Sequence, residues 1–93
     1  MSGWRLEILG GFELRRDGKP IELQNRKDRL LLAYLALNSG KPQRREKLAG
    51  LLWADRGEEQ ARGSLRQSLA ALRTGLGEDA PAIIVASREE IIV

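Results

Sequence analysis

Three arginines in the second half of the chain have the chemistry of an anion-binding surface. Arg62, Arg66 and Arg73 follow one another with no acidic residue between them. The segment 41–47, just before them, contains four basic residues and one acid. Guanidinium groups bind phosphate through paired N–H donors, so this basic middle of the chain could contact a polyanion. The net charge of the whole chain is only +3 and does not by itself indicate such a partner.

The composition excludes most catalytic chemistry. The 93 residues include no Cys and no His, which removes thiolate nucleophiles, disulfides, Cys/His zinc sites and an imidazole base. With 42% apolar and 31% charged residues, the chain is expected to form one globular domain over 1–93. We expect no enzyme activity, no cofactor, no metal and no small-molecule substrate. No apolar run could span a bilayer and no secretion signal is evident, so the expectation is a cytoplasmic protein without a membrane partner.

The N-terminal segment has the pattern of an antiparallel sheet. Apolar and charged residues alternate at the start of the run from Trp4 to Leu9, over 12–15 and over 20–23. Gly10-Gly11 separates the first two runs. Asp17-Gly18, between the second and the third, is a strong hairpin signal. The C-terminal runs 83–86 and 91–93 are β-branched and predict a second hairpin.

Three helices are predicted between these strands. Apolar positions recur with helical periodicity over about 26–38, over about 43–53 and over 58–76. The second helix opens with Gln43, three residues before Glu46, at the spacing of a capping box. Gly77 should end the third. The fold class is therefore α+β, with an N-terminal sheet of three or four strands, three helices and a C-terminal hairpin.

The third helix separates into distinct faces at about 100° per residue. Its apolar face is narrow, since its leucines fall within about 40° of Leu65. They are Leu65, Leu69, Leu72 and Leu76. The three arginines form a ridge at about 60° to 100° from Leu65, and Gly63, Gln67, Ala70 and Thr74 face away from the core. On periodicity alone, this ridge could be an ordinary solvated helix surface.

The order of elements and several motifs together resemble the DNA-binding domain of the Streptomyces antibiotic regulatory protein family. That family is a branch of the OmpR/PhoB-type winged helix-turn-helix regulators. The motifs are RKDRLLLAYLAL at 26–37, Gly40-x-Pro42, REKLAGLLW at 45–53 and ARGSLRQ at 61–67. The resemblance covers nearly the whole chain. It implies a sequence-specific regulator of transcription whose third helix enters the major groove of double-stranded DNA, with the hairpin as a wing near the minor groove.

The resemblance also implies which positions contact bases. They are Ser64, Arg66, Gln67, Ala70 and Ala71, and Ala71 departs from the arginine that relatives often have. We predict that Arg66 and Gln67 contact bases, because Arg–guanine and Gln–adenine are bidentate pairings. Arg62 and Arg73 are predicted to contact phosphates.

Three further arginines could contact DNA, but neighbouring acids offer an alternative or an obstacle in each case. Arg44 and Arg45 begin the second helix, where the helix dipole also attracts a phosphate, but they could instead pair with nearby acids. Arg88 could enter a minor groove, although Glu89 and Glu90 beside it would repel phosphates.

The resemblance has consequences for the whole protein. Relatives often bind direct-repeat operators and have further domains after this one, so this chain is expected to be a fragment of a longer regulator with RNA polymerase as a second partner. The alternative is a winged-helix module for protein interaction that has lost DNA binding. The features that favour it are Ala71, the Glu89-Glu90 pair and the modest net charge.

Overall fold

The computed structural model describes residues 3–87 and 89–93, and it confirms the predicted α+β class. The described residues form two small sheets and three longer helices. The first sheet consists of β1 (Trp4–Glu7), β2 (Glu13–Arg16) and β3 (Lys19–Pro20) in that order. The predicted Asp17-Gly18 turn joins β2 to β3, and both of its residues have positive φ, at 51° and 80°. That conformation matches the twist of a two-residue hairpin.

The third strand is shorter than the predicted 20–23 because the chain turns inward after Ile21. Ile21 N still donates to Leu14 O at 2.8 Å, and Leu23 is then buried. The carbonyls of Leu23 and Gln24 accept hydrogen bonds from Arg29 Nη1 at 2.6 and 3.0 Å. A side chain from the first helix therefore satisfies backbone groups that a longer strand would have paired.

Three helices follow: α1 (Arg26–Leu37), α2 (Arg45–Leu52) and α3 (Glu58–Leu76). Asn25 caps α1 by accepting from Lys27 N at 2.9 Å. The bounds of α3 match the predicted 58–76, and Gly77, at φ 63°, ends it. The core between the helices contains eight large side chains that are essentially inaccessible to solvent. They are Leu31, Leu35, Leu48, Leu65, Leu69, Leu72, Leu76 and Ile91.

The start of α2 was predicted wrongly. Gln43 and Arg44 form a short strand, β4, which pairs with the C-terminal hairpin rather than opening the helix. Arg44 caps α2 without a side-chain hydrogen bond, so the predicted capping box is absent. Arg45 N instead donates to Glu89 O at 2.8 Å.

The first C-terminal strand is also shorter than predicted, and the second begins one residue earlier than predicted. A short helix, α4 (Ala80–Ile83), precedes β5 (Val85–Ala86) and β6 (Glu90–Ile92). Ile83 and Ile84 are both buried. Consecutive strand residues point to opposite faces, so a half-exposed strand could not bury both. The second sheet has the antiparallel order β4-β6-β5. None of the helices in the described part of the chain combines the length and apolar character that a bilayer crossing needs.

Candidate nucleic-acid interface

Helix α3 presents one face to the core and the opposite face to solvent. Its four leucines are at most 2% exposed, as their spacing predicted. The residues predicted to contact DNA at the opposite face and its flank are exposed, with one exception. The exposed ones are Arg62, Arg66, Gln67, Ala70 and Arg73. Ala71 and Thr74 are also exposed, and Gly63 is half-buried. This outward face has small side chains along its centre, which would let its backbone approach a groove closely.

A basic cleft lies beside the first half of α3. Its volume is about 370 Å³, and the N-terminus of α2, the hairpin and α3 form its walls. Four arginines and two glutamates line it, together with Leu65. The charged residues are Arg44, Arg45, Arg62, Arg66, Glu46 and Glu89. The fold therefore brings arginines from the basic segment 41–47 and from α3 onto a single surface.

Two of the cleft arginines already have partners within the protein. Arg45 Nε donates to Ser87 O at 2.8 Å, so this side chain joins α2 to the hairpin. Arg62 Nη2 lies 3.2 Å from Glu58 Oε1, one turn earlier in α3. Both Arg62 and Glu58 are more than half exposed, so this ion pair contributes little and a phosphate could replace the glutamate. Arg44 and Arg66 have no carboxylate within 4.0 Å among residues 3–87 and 89–93.

Ser64 is the exception among the predicted residues of α3, because it is buried. Its hydroxyl accepts a hydrogen bond from Arg56 Nη1 at 2.7 Å. The structure therefore places Ser64 at the edge of the core and not on the outward face of α3. A base contact by its hydroxyl would require this buried side chain to become accessible.

A second groove follows the other flank of α3. Its volume is about 330 Å³, and it contains the N-terminus of α1, the α2–α3 connection and one side of α3. Its lining includes Lys27, Asp55, Arg56, Gln67 and Ala71. Lys27 Nζ donates to Leu52 O, which places this charge at the C-terminal end of α2. The predicted base-reading residue Gln67 thus borders this groove, while Arg66 borders the basic cleft.

The hairpin has a short polar tip. Ser87 N donates to Glu90 O at 2.8 Å, and Ser87 Oγ accepts from Glu90 N at 3.1 Å. Glu89 and Glu90 are exposed. The prediction for Arg88 falls outside the described residues, 3–87 and 89–93.

Sequence reasoning missed two features of this region. Neither the contact between Arg56 and Ser64 nor the buried hydrogen bond from Ser68 Oγ to Asp28 Oδ1, at 2.5 Å, was predicted. The sequence did contain a signal for both contacts, because Ser64 and Ser68 are one turn apart beside the leucine face. A serine at such a position needs a polar partner when it is buried.

The arrangement defines the class of protein. Helices α2 and α3 form a helix-turn-helix whose second helix is exposed along one face, and a β-hairpin lies beside it, which is the winged helix-turn-helix architecture. A family model described as "Transcriptional regulatory protein, C terminal" matches residues 18–90. The chain belongs to this family of OmpR/PhoB-type DNA-binding domains, which bind double-stranded DNA and regulate transcription. No curated protein matches the chain.

Proposed function

We propose that this domain binds a specific sequence of double-stranded DNA by inserting α3 into the major groove, with the hairpin near the adjacent minor groove. The observation that supports this most directly is the outward face of α3. The leucine seam of α3 consists of Leu65, Leu69, Leu72 and Leu76, which are buried in the core. It fixes the helix so that Arg66, Gln67 and Ala70 are exposed together. An α-helix with side chains is about 10–12 Å in diameter and fits the major groove, which is about 12 Å wide.

Within this proposal the residues have different roles. Arg66 and Gln67 contact base edges, whereas Arg62, Arg73 and Arg44 contact phosphates. Arg73 lies about 10 Å along the helix axis from Arg66, so it would meet the DNA at a separate place. Arg45 contributes through its charge and by holding the hairpin against α2. A role for Arg88 at the minor groove stays a prediction from the sequence.

The resemblance to the Streptomyces antibiotic regulatory proteins refines the proposal. Such a regulator would bind direct repeats as head-to-tail copies and would contact RNA polymerase. The motifs at 26–37, 45–53 and 61–67 support this assignment. Ala71 borders the second groove on α3. Because alanine has no hydrogen-bonding group, the base contact that relatives make with arginine at this position must be absent or must come from another residue.

The proposal is tested by selection from a randomised duplex pool, followed by affinity measurements on the enriched sequence. We expect Arg66→Ala to lose about 1 to 3 kcal/mol of discrimination at one base position. Arg15→Ala, which removes the same charge from the exposed face of β2, serves as the matched control and should leave discrimination unchanged. An enriched motif that occurs twice in the same orientation would support head-to-tail binding. Equal preference by the Arg66→Ala variant and the parent would contradict base reading by Arg66.

Salt dependence tests the contribution of phosphate contacts. The affinity for pooled genomic duplex DNA should fall steeply between about 50 and 200 mM salt, because each neutralised phosphate releases counterions. The triple variant Arg62→Ala, Arg66→Ala, Arg73→Ala should bind weakly and with a shallow slope.

A second function is favoured by the two acids in the basic cleft. Glu46 and Glu89 line it beside the arginines and reduce its attraction for phosphate. A winged helix that binds a protein partner in place of DNA would show no affinity for duplex DNA at low salt while remaining folded. That result would direct the search to a helical or polymerase partner.

A further inference from the structure

We propose that Arg56 is a second phosphate anchor, positioned by Ser64 on the flank of α3 that lies opposite the basic cleft. This inference rests on the proposed function, because it requires α3 to lie in a groove of duplex DNA. The observation that leads to it is the hydrogen bond from Arg56 Nη1 to the buried Ser64 Oγ.

The geometry of a helix in the major groove requires contacts on both sides. A duplex presents one phosphate strand along each edge of the groove, and α3 would have one strand on each flank. Arg62 and Arg66 serve the flank that borders the basic cleft. Ser64 lies about 160° around the helix axis from Arg66, so the guanidinium that it holds is on the other flank.

Arg56 is also available for a ligand. Its side chain is exposed, and only one of its five N–H donors is used by Ser64. Within residues 3–87 and 89–93 it has no carboxylate within 4.0 Å, although Asp55 lines the same groove. Lys27 is the other cation of the groove, and its ammonium group is bound to Leu52 O. The buried carboxylate of Asp28 accepts from Ser68.

The position of the Arg56 guanidinium is fixed before any ligand binds. Arg56 N donates to Trp53 O at 3.1 Å, and Trp53 is buried, so the connection between α2 and α3 is held against the core. Ser64 then fixes the far end of the side chain. Ordering a long side chain in advance lowers the entropy lost on binding. Ser64 is thus a positioning residue for Arg56, which explains how it can matter for DNA binding while remaining buried.

The test measures binding of a labelled mixed-sequence duplex at several salt concentrations. Arg56→Ala should weaken binding about equally for all sequences and lower the slope of log affinity against log salt by about one. Ser64→Ala keeps the charge but removes its anchor, so it should weaken binding less and leave most of the slope. Arg56→Lys should likewise retain the slope. Arg15→Ala, on the exposed face of β2, should change neither quantity.

The combination of variants separates positioning from packing. In an Arg56→Ala background, Ser64→Ala should cause no further loss of affinity, whereas an equal loss in both backgrounds would overturn the positioning role. An unchanged slope for Arg56→Ala, in a parent that binds DNA steeply, would overturn this inference and leave the proposed function standing. Absence of binding by the folded parent would overturn both.

Discussion

The buried hydrogen bond between α3 and α1 should contribute measurably to stability. Ser68 Oγ donates to Asp28 Oδ1 at 2.5 Å, and the two residues are 3% and 7% exposed. A hydrogen bond to a charged group contributes about 1.5 to 3 kcal/mol. Ala is a better helix former than Ser by roughly 0.5 kcal/mol, which offsets part of the loss. We therefore expect Ser68→Ala to lower the free energy of unfolding by about 1 to 2.5 kcal/mol.

Urea denaturation provides the measurement. The midpoint should fall while the dependence of the free energy on denaturant stays constant, because the surface exposed on unfolding is nearly the same. In a domain of this size, each kcal/mol corresponds to a decrease of roughly 4 to 8 °C in Tm. Ser64→Ala, one turn earlier on the same helix, is the matched control. Its partner Arg56 is exposed, so its loss should stay below about 1 kcal/mol.

A double-mutant cycle with Asp28→Asn can refute this reasoning. The amide keeps an acceptor oxygen but removes the charge, so Ser68→Ala should cost only about 0 to 1 kcal/mol in that background. An equal cost with Asp28 and with the asparagine would show that the carboxylate is not the source of the stabilisation. A loss below about 0.5 kcal/mol in the parent would refute the contribution of the hydrogen bond itself.

Four further substitutions test local features by the same denaturation assay. Asn25→Ala removes the cap on Lys27 N and should cost about 1 kcal/mol, and no change would contradict the capping role. Gly63→Ala should stabilise the fold by about 0.5 to 1 kcal/mol, because an added Cβ meets no atom within 4 Å. Gly75→Ala is its matched contrast and should gain less, since the new Cβ would lie 2.9 Å from Leu23 Cδ2. Asp79→Ala removes the acceptor of Trp4 Nε1, at 2.8 Å, and the ion pair with Arg16, at 3.3 Å, and should cost about 1 kcal/mol. An unchanged midpoint would show that this contact does not hold the first sheet to the end of α3.

The elements that were predicted well are those encoded by neighbouring residues. The four leucines of α3 repeat along one face, and Gly77 follows the last of them, so both the helix and its end were evident. Asp17-Gly18 likewise determines its own turn, because both residues adopt positive φ readily. Local periodicity and turn chemistry act over a few residues and can therefore be read from the sequence.

The features that were missed depend on distant partners. Gln43 and Arg44 have no strand signature of their own, and they form β4 because Ile91 and Glu90 lie opposite them in β6. The β-branched pair at 83–84 has high strand propensity, but burial of both side chains places Ile83 in a helical turn instead. The hydrogen bond from Ser68 joins residues 40 positions apart, a pairing that no local pattern could indicate.

The two serines of α3 link this fold to its proposed function. The leucine seam spans about 60° of the helix circumference and sets which side of α3 faces the core. Ser64 accepts a hydrogen bond from the α2–α3 connection and Ser68 donates one to α1, which adds two directional constraints on one side of that seam. A rotation of α3 by about 20° would move a side-chain tip at a radius of about 5 Å by roughly 2 Å. Such a shift exceeds the tolerance of a hydrogen bond to a base edge, whose length varies by only about 0.5 Å. The orientation of Arg66 and Gln67 toward a groove therefore depends on the leucine seam and also on buried hydroxyl groups that need not touch DNA.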